Sequence, residues 1–180
     1  ISKFGINVEL YEMRPKIKTE VHKTEFLAEL VCSNSFRSDD KEYNAVGLLH
    51  EELRIADSLI MKMADLNKVP AGSALAVDRD DFSKQVNQEI KDNKKITIIN
   101  EEVTDLDIFK NEIVIVATGP LTSNRLSQNI KDKTSENSLA FYDAIAPIVY
   151  KDSIDMKTAW KQSRYGKGDG DDHINCPLSK

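Results

Sequence analysis

A parallel α/β fold is what this sequence predicts, and three observations carry the prediction. Residues 6–11 alternate apolar and polar after Gly5, the period-two pattern of a strand with one covered face. Residues 113–117, Ile-Val-Ile-Val-Ala, are apolar throughout, as a strand covered on both faces should be. Between them lie two stretches of helical periodicity, so the order strand, helix, strand, helix, strand builds a parallel sheet with helices packed on it.

The elements follow in order. Pro15 closes the first strand, and residues 16–24 are polar enough for a loop. Residues 26–31 form a short apolar patch leading to Cys32, and residues 33–43, rich in Ser, Asp and Asn, read as irregular. Asn44 is placed to cap a helix over residues 45–67, with Val46, Leu49, Leu53, Ala56, Ile60 and Met63 on one apolar face. Val69 and Pro70 end it. Residues 74–77 make a short strand, and Asp78 or Asp80 caps a second helix carrying Phe82, Val86 and Ile90 at helical spacing. A strand over residues 96–100 precedes the run at 113–117, where Ile115 and Val116 are expected to be almost fully buried. The strands at 6–11 and 113–117 are expected in one parallel sheet. Thr118-Gly119-Pro120 stops that run abruptly. Residues 147–150 read as one more strand, 156–163 as a short helix, and 166–172 as a glycine and aspartate loop.

Composition narrows the class. A chain of 180 residues is long enough to hide roughly 70% of its unfolded surface. With 40% hydrophobic and 31% charged residues it is neither disordered nor membrane-embedded. A net charge of −5 argues against a dedicated nucleic-acid module, which normally carries net positive charge, while leaving room for a basic patch. Two cysteines, Cys32 and Cys176, do not make a disulfide framework, and with Lys3, Glu9 and Glu12 interrupting any apolar stretch no secretory leader is expected in these residues. The expected compartment is the cytoplasm. The chain opens on Ile1 rather than Met, in what reads as the tail of a helix, and is expected to be an internal piece of a longer protein.

Four positions are candidates for chemistry. Glu12 ends the first strand, where a dinucleotide-binding fold places the acid that holds its cofactor's ribose hydroxyls; a plain surface acid is the competing reading. Thr118-Gly119 follows a buried strand and allows a sharp turn beside a ligand, as in flavoproteins, or simply a tight turn ending a core strand. Cys32 lies at the border of the apolar patch with Arg37 near in sequence, either a thiol with a favoured thiolate or a half-buried small hydrophobe. No metal site is expected, because three histidines and two cysteines, His173 and Cys176 among them, do not make a closed set.

Seven ordered blocks carry a resemblance: residues 10–15 (Leu-Tyr-Glu-Met-Arg-Pro), 28–35 (Ala-Glu-Leu-Val-Cys-Ser-Asn-Ser), 44–47, 69–72, 74–79, 117–123 (Ala-Thr-Gly-Pro-Leu-Thr-Ser) and 151–156. Together they closely resemble the folate- and FAD-dependent tRNA (uracil-5-)-methyltransferase family, relatives of the GidA flavoproteins. The resemblance implies a Rossmann-like FAD-binding domain with an inserted second domain, truncated here at both ends. It places residues 1–31 and 96–125 in the FAD-binding domain, 32–95 as its cysteine-containing segment and helices, and 126–180 at the start of the inserted domain. It further implies 5-methyluridine formation in the tRNA T-loop, with carbon from 5,10-methylenetetrahydrofolate and electrons from flavin reduced by NADH or NADPH. By that resemblance Glu12, Thr118 and Gly119 bind the cofactor, and Cys32 is a general base beside the flavin. The attacking cysteine of the family's Gly-Cys-x-Pro motif has no counterpart in this sequence, and Cys176 matches a cysteine without an assigned role. A ribosomal RNA methyltransferase and a GidA-like wobble-uridine enzyme are the alternatives, and the isolated chain is expected to be inactive.

Overall fold

The computed structural model describes residues 1–135, 149–163 and 170–177. Its strands and helices are β1 (Val8–Tyr11), β2 (Ser35–Ser38), α1 (Ala45–Ile55), α2 (Leu59–Leu66), β3 (Lys68–Val69), β4 (Ala74–Val77), α3 (Arg79–Asp92), β5 (Ile96–Ile99), α4 (Asn124–Thr134), β6 (Trp160–Lys161) and β7 (Ile174–Asn175). The fold is mixed α/β with a parallel strand pair. It divides into two compact units, one from Ile1–Glu25 with the stretch that starts at Glu89, the other from Phe26–Gln88 with the stretch that follows Ala146.

The first unit is built on β1 and β5, which run parallel with Val8 facing Ile96 and Tyr11 facing Ile99. The pair is extended past Tyr11 by the Glu12 N–H, which donates to the Ile99 carbonyl at 3.0 Å. The ring of Tyr11 meets that of Phe109 edge to face at 5.2 Å, a favoured aromatic geometry. Helix α4 was not expected from the sequence, since it buries only Leu126; Ser123 caps it by accepting from the Leu126 N–H.

The run at residues 113–117 departs from expectation. It forms neither strand nor helix, and Ile113, Ile115, Val114 and Val116 are exposed, so β1 takes β5 as its parallel neighbour instead. A run apolar on both faces becomes a central strand only where neighbours flank both edges and elements cover both faces. Among the described residues nothing supplies either.

The second unit centres on β4, flanked antiparallel by β2 and β3. Leu75, Ala76 and Val77 are all buried, joined by Met61, Met63 and Ala64 of α2 and by Phe82 and Val86 of α3. Asp78 caps α3 by accepting from the Asp80 and Asp81 N–H groups, as its sequence predicts. Strand β2 lies where an irregular segment was expected. It pairs Ser35 with Ala76 and Ser38 with Ala74, so one extra residue bulges and Arg37 takes φ 73°.

The single helix expected over residues 45–67 is two. At Asp57, φ is 55°, the Ser58 N–H donates to the Leu53 carbonyl and the Asp57 N–H to that of Arg54, the bond pair of a left-handed helix end. Ser58 then caps α2 through the Met61 N–H. The expected apolar face also fails in α1, whose buried residues are Gly47 and His50 while Leu49 and Leu53 are exposed.

Residues 156–163 are likewise not a helix. The Asp155 carbonyl takes the Thr158 and Ala159 N–H groups and its carboxylate takes that of Lys157, which ends the turn locally. Trp160 then pairs with Asn175 across β6 and β7. Of the strand expected at 147–150, residues 147 and 148 lie outside the described residues, while Val149 and Tyr150 form no strand. Of the loop expected at 166–172, residues 166–169 lie outside them too. No helix among the described residues is long and apolar enough to cross a membrane.

Candidate functional site

Glu12 sits immediately past the C-terminal end of β1, held there by the Ile99 carbonyl. Its carboxylate is gripped by Arg14: the Arg14 N–H and Nε donate to Oε1 at 3.0 and 2.9 Å, and Nη2 donates to Oε2 at 3.1 Å. The guanidinium is buried, at 5% side-chain exposure, and the carboxylate keeps 19%. Asn100 fixes the arginine backbone by donating from Nδ2 to the Arg14 carbonyl at 2.6 Å. Burial pushes the Glu12 pKa up, but the Arg14 hydrogen bonds and charge outweigh it, so the net shift is downward. Glu12 is therefore an anion near neutrality. Four lone-pair directions serve its two oxygens and Arg14 takes three, which leaves room on Oε2 for one more donor.

Thr118 and Gly119 belong to the same compact unit as Glu12. The expected tight turn is present, with Gly119 at φ 68° opening a 3-10 turn over Gly119–Leu121. A side chain at Gly119 would meet nothing within 4 Å, so its glycine is required by conformation and not by crowding. Thr122 donates its hydroxyl to the Gly119 carbonyl at 2.7 Å and lies 2.6 Å from Thr118 Oγ1. A hydroxyl has one proton, so Thr118 is the donor in that second contact. Next to this turn lies an open cleft of about 380 Å³, whose lining includes Thr19, Thr122, Ser123, Ser127 and Lys131.

Cys32 lies in the other unit as a free, half-buried thiol. The segment after it is fastened to β4 in both directions. The Val77 N–H donates to the Asn34 carbonyl at 3.0 Å, and Asn34 Nδ2 donates to the Val77 carbonyl at 2.9 Å. Cys176 is a free, exposed thiol. Among the described residues no three His, Cys, Asp or Glu side chains come together to hold a metal ion.

Sequence reasoning passed over one polar cluster. Asp39 Oδ1 lies 3.0 Å from His50 Nδ1, and the same carboxylate receives Arg54 Nη2 at 3.0 Å and faces Lys68 Nζ at 3.7 Å. Arg54 also holds Asp65 with Nε and Nη2, at 2.8 and 2.7 Å. The available signal was the spacing of His50 and Arg54, four apart and so on one helix face.

An acid just past the end of a parallel strand is the position at which dinucleotide-binding α/β folds carry their ribose-binding carboxylate, and here it shares a unit with a left-handed glycine turn. The chain belongs to the glucose inhibited division protein A family, whose model matches residues 1–180. A methylenetetrahydrofolate–tRNA-(uracil-5-)-methyltransferase TrmFO from Paramagnetospirillum magneticum is 58% identical over 180 residues, covering all of this chain and 40% of the relative. Relatives of the same name from Bartonella tribocorum and Rhizobium meliloti are 58% and 54% identical over 184 residues, each covering all of this chain and 39% of the relative. The chain thus spans about two fifths of the length of the curated relatives it matches.

Proposed function

We propose that the full-length protein methylates uridine C5 at position 54 in the tRNA T-loop. It takes carbon from 5,10-methylenetetrahydrofolate and electrons from FAD reduced by NADH or NADPH, and it works in the cytoplasm. The observation that carries this reading is the identity of 54–58% over the whole chain to relatives named for that folate- and tRNA-dependent activity. Those names favour tRNA over ribosomal RNA as the substrate.

The residues present fit the cofactor in one respect that geometry supports directly. Glu12 is an ionised carboxylate with an open acceptor direction at a parallel strand end, the chemistry a ribose hydroxyl needs. Arg14 orients it, and Asn100 holds Arg14. We place Thr118 and Gly119 at the same cofactor, where the hydroxyl lone pairs and the left-handed backbone accept a close approach. Residues 1–31 and 96–125 belong to the FAD-binding domain in this reading, 32–95 to its cysteine-containing segment and helices, and 126–180 to the start of a second domain. When bound, the flavin supplies reducing electrons for the one-carbon unit. Uracil C5 is a poor nucleophile until a thiolate adds at C6, and a base must then remove the C5 proton. Cys32 is assigned to that proton transfer. The attacking thiol belongs to a part of the full-length protein outside these 180 residues, so the isolated chain is expected to be inactive.

The test is a reaction of the full-length protein with unmodified tRNA, NADPH and carbon-labelled methylenetetrahydrofolate, read by nucleoside mass spectrometry. Labelled 5-methyluridine at position 54 is expected. Label at the wobble uridine, or only with S-adenosylmethionine, would overturn the assignment.

A further inference from the structure

Cys32 stands on a stretch without regular structure: residues 28–33 form neither strand nor helix, between the buried Leu27 and the start of β2. Such a stretch takes its position from whatever fixes its ends. Upstream, the Leu27 N–H reaches Asn87 Oδ1 at 3.5 Å. Downstream, the fixed point is Asn34, two residues past Cys32.

Asn34 grips β4 with its backbone and its side chain together. The register that pairs Ser35 with Ala76 brings Asn34 opposite Val77. In a continued antiparallel ladder two backbone bonds join such a pair. Here the Val77 N–H donates to the Asn34 carbonyl at 3.0 Å, and the return bond comes from the side chain, Nδ2 to the Val77 carbonyl at 2.9 Å. The rung is closed although Asn34 itself lies at a bend outside the strand. Ser33 adds a local hold, its Oγ accepting the Ser35 N–H at 3.1 Å. The point of attachment is firm. Val77 is fully buried, and the Asp78 N–H beyond it donates to the Asn67 carbonyl at 2.9 Å.

We propose that Asn34 is the positioning residue for Cys32, an inference that rests on the reading in which Cys32 takes the C5 proton of uridine. A base works only within hydrogen-bond reach, about 2.6–3.2 Å between heavy atoms. A misplacement of about 1 Å can cost on the order of a hundredfold in rate. Planar peptide units link Cys32 to Asn34, so few soft torsions are available to absorb a shift of the rung. The side chain must offer an N–H to a carbonyl. An ionised aspartate of the same size presents only acceptors, and alanine presents nothing. Without the amide the rung loses its return bond, and the stretch that carries the thiol is held at that end by the Asn34 carbonyl alone.

The experiment compares full-length Asn34→Ala with the unaltered protein in three readouts. The kcat for tRNA methylation should fall about tenfold or more, with KM for tRNA changed by less than about twofold. Covalent trapping of RNA containing 5-fluorouridine, which comes before the proton is removed, should keep its rate. Labelling of Cys32 by iodoacetamide, read by mass spectrometry on the tryptic peptide of residues 24–37, should change in rate by about threefold or more. A residue that only supports the fold would lower trapping and methylation together, and that result overturns the proposal. Unchanged labelling of Cys32 overturns it as well. Cys32→Ala separates the two ways of failing. If that variant turns over normally, the role of Cys32 falls and the proposal with it. If it is inactive while Asn34→Ala methylates normally, only the placement by Asn34 falls. Should Asn34→Ala not fold, the isosteric Asn34→Asp removes the donor and carries the same expectations in all three readouts.

Discussion

Arg54 grips Asp65 with a two-pronged hydrogen bond, Nε to Oδ2 at 2.8 Å and Nη2 to Oδ1 at 2.7 Å, across the break between α1 and α2. The pair lashes together two helices that meet at a left-handed aspartate, and Asp39 receives the same guanidinium at 3.0 Å. Lysine keeps the charge but not the planar fork. Arg54→Lys in the full-length protein is expected to lower unfolding stability by roughly 1–3 kcal/mol. Urea denaturation at neutral pH checks this, and an unchanged midpoint at unchanged slope would refute it.

Gly47→Ala should destabilise. In an ordinary helix interior the exchange stabilises by roughly 0.5–1 kcal/mol. Here the new methyl overlaps the Asp40 carbonyl, which is backbone and has little freedom to yield. The sign therefore reverses, with a loss of about 1–3 kcal/mol expected. Thermal unfolding of the full-length variant decides between the two signs.

Acid should weaken the fold through two carboxylates. Asp65 is held below the usual range chiefly by the Arg54 hydrogen bonds, and Glu12 is held below it by Arg14 despite the opposing effect of burial. A depressed folded pKa contributes stability that is present above the unfolded value near 4 and lost as pH falls through the folded one. Stability measured across a pH series should thus decline below about pH 4. Glu12→Gln should flatten part of that decline, and an identical acid limb in the variant would argue against the assignment.

On the proposed function, Cys32→Ala separates base from nucleophile. In the full-length enzyme the variant should lose methylation and hold flavin more loosely. It should still trap RNA containing 5-fluorouridine covalently, because that reading assigns the attack to a different thiol. Normal turnover in the variant would reduce Cys32 to a packing residue at the start of the segment that Asn34 fastens to β4.

Local signals were legible where one element decides its own shape. Alternation marked β1, the Asp78 cap and the Phe82–Val86 spacing marked α3, and the apolar run at 74–77 marked β4. What escaped depends on distant partners. Strand β2 is polar and exists because Ser35 and Ser38 find Ala76 and Ala74. The Asp57 break rests on a non-glycine residue in a conformation that sequence patterns assign to glycine. The face of α1 was misread because His50 and Arg54, polar in composition, are held inward by charges from other elements. Of the candidate site, the place of Glu12 just past β1 was legible. Its grip by Arg14, two residues on, needed the turn geometry to be seen.

The parallel match of Val8 with Ile96 has a consequence for how the protein is made. Synthesis is vectorial, at about 5–20 residues per second, so β1 leaves the ribosome on the order of ten seconds before β5 exists to receive it. The intervening stretch, Phe26–Gln88, is contiguous and holds β2, β3, β4, α1 and α2, so its antiparallel sheet can close during that wait. The nascent chain thus carries a closed antiparallel sheet and an idle strand at once, and β1 is the segment a ribosome-associated chaperone would have reason to shelter.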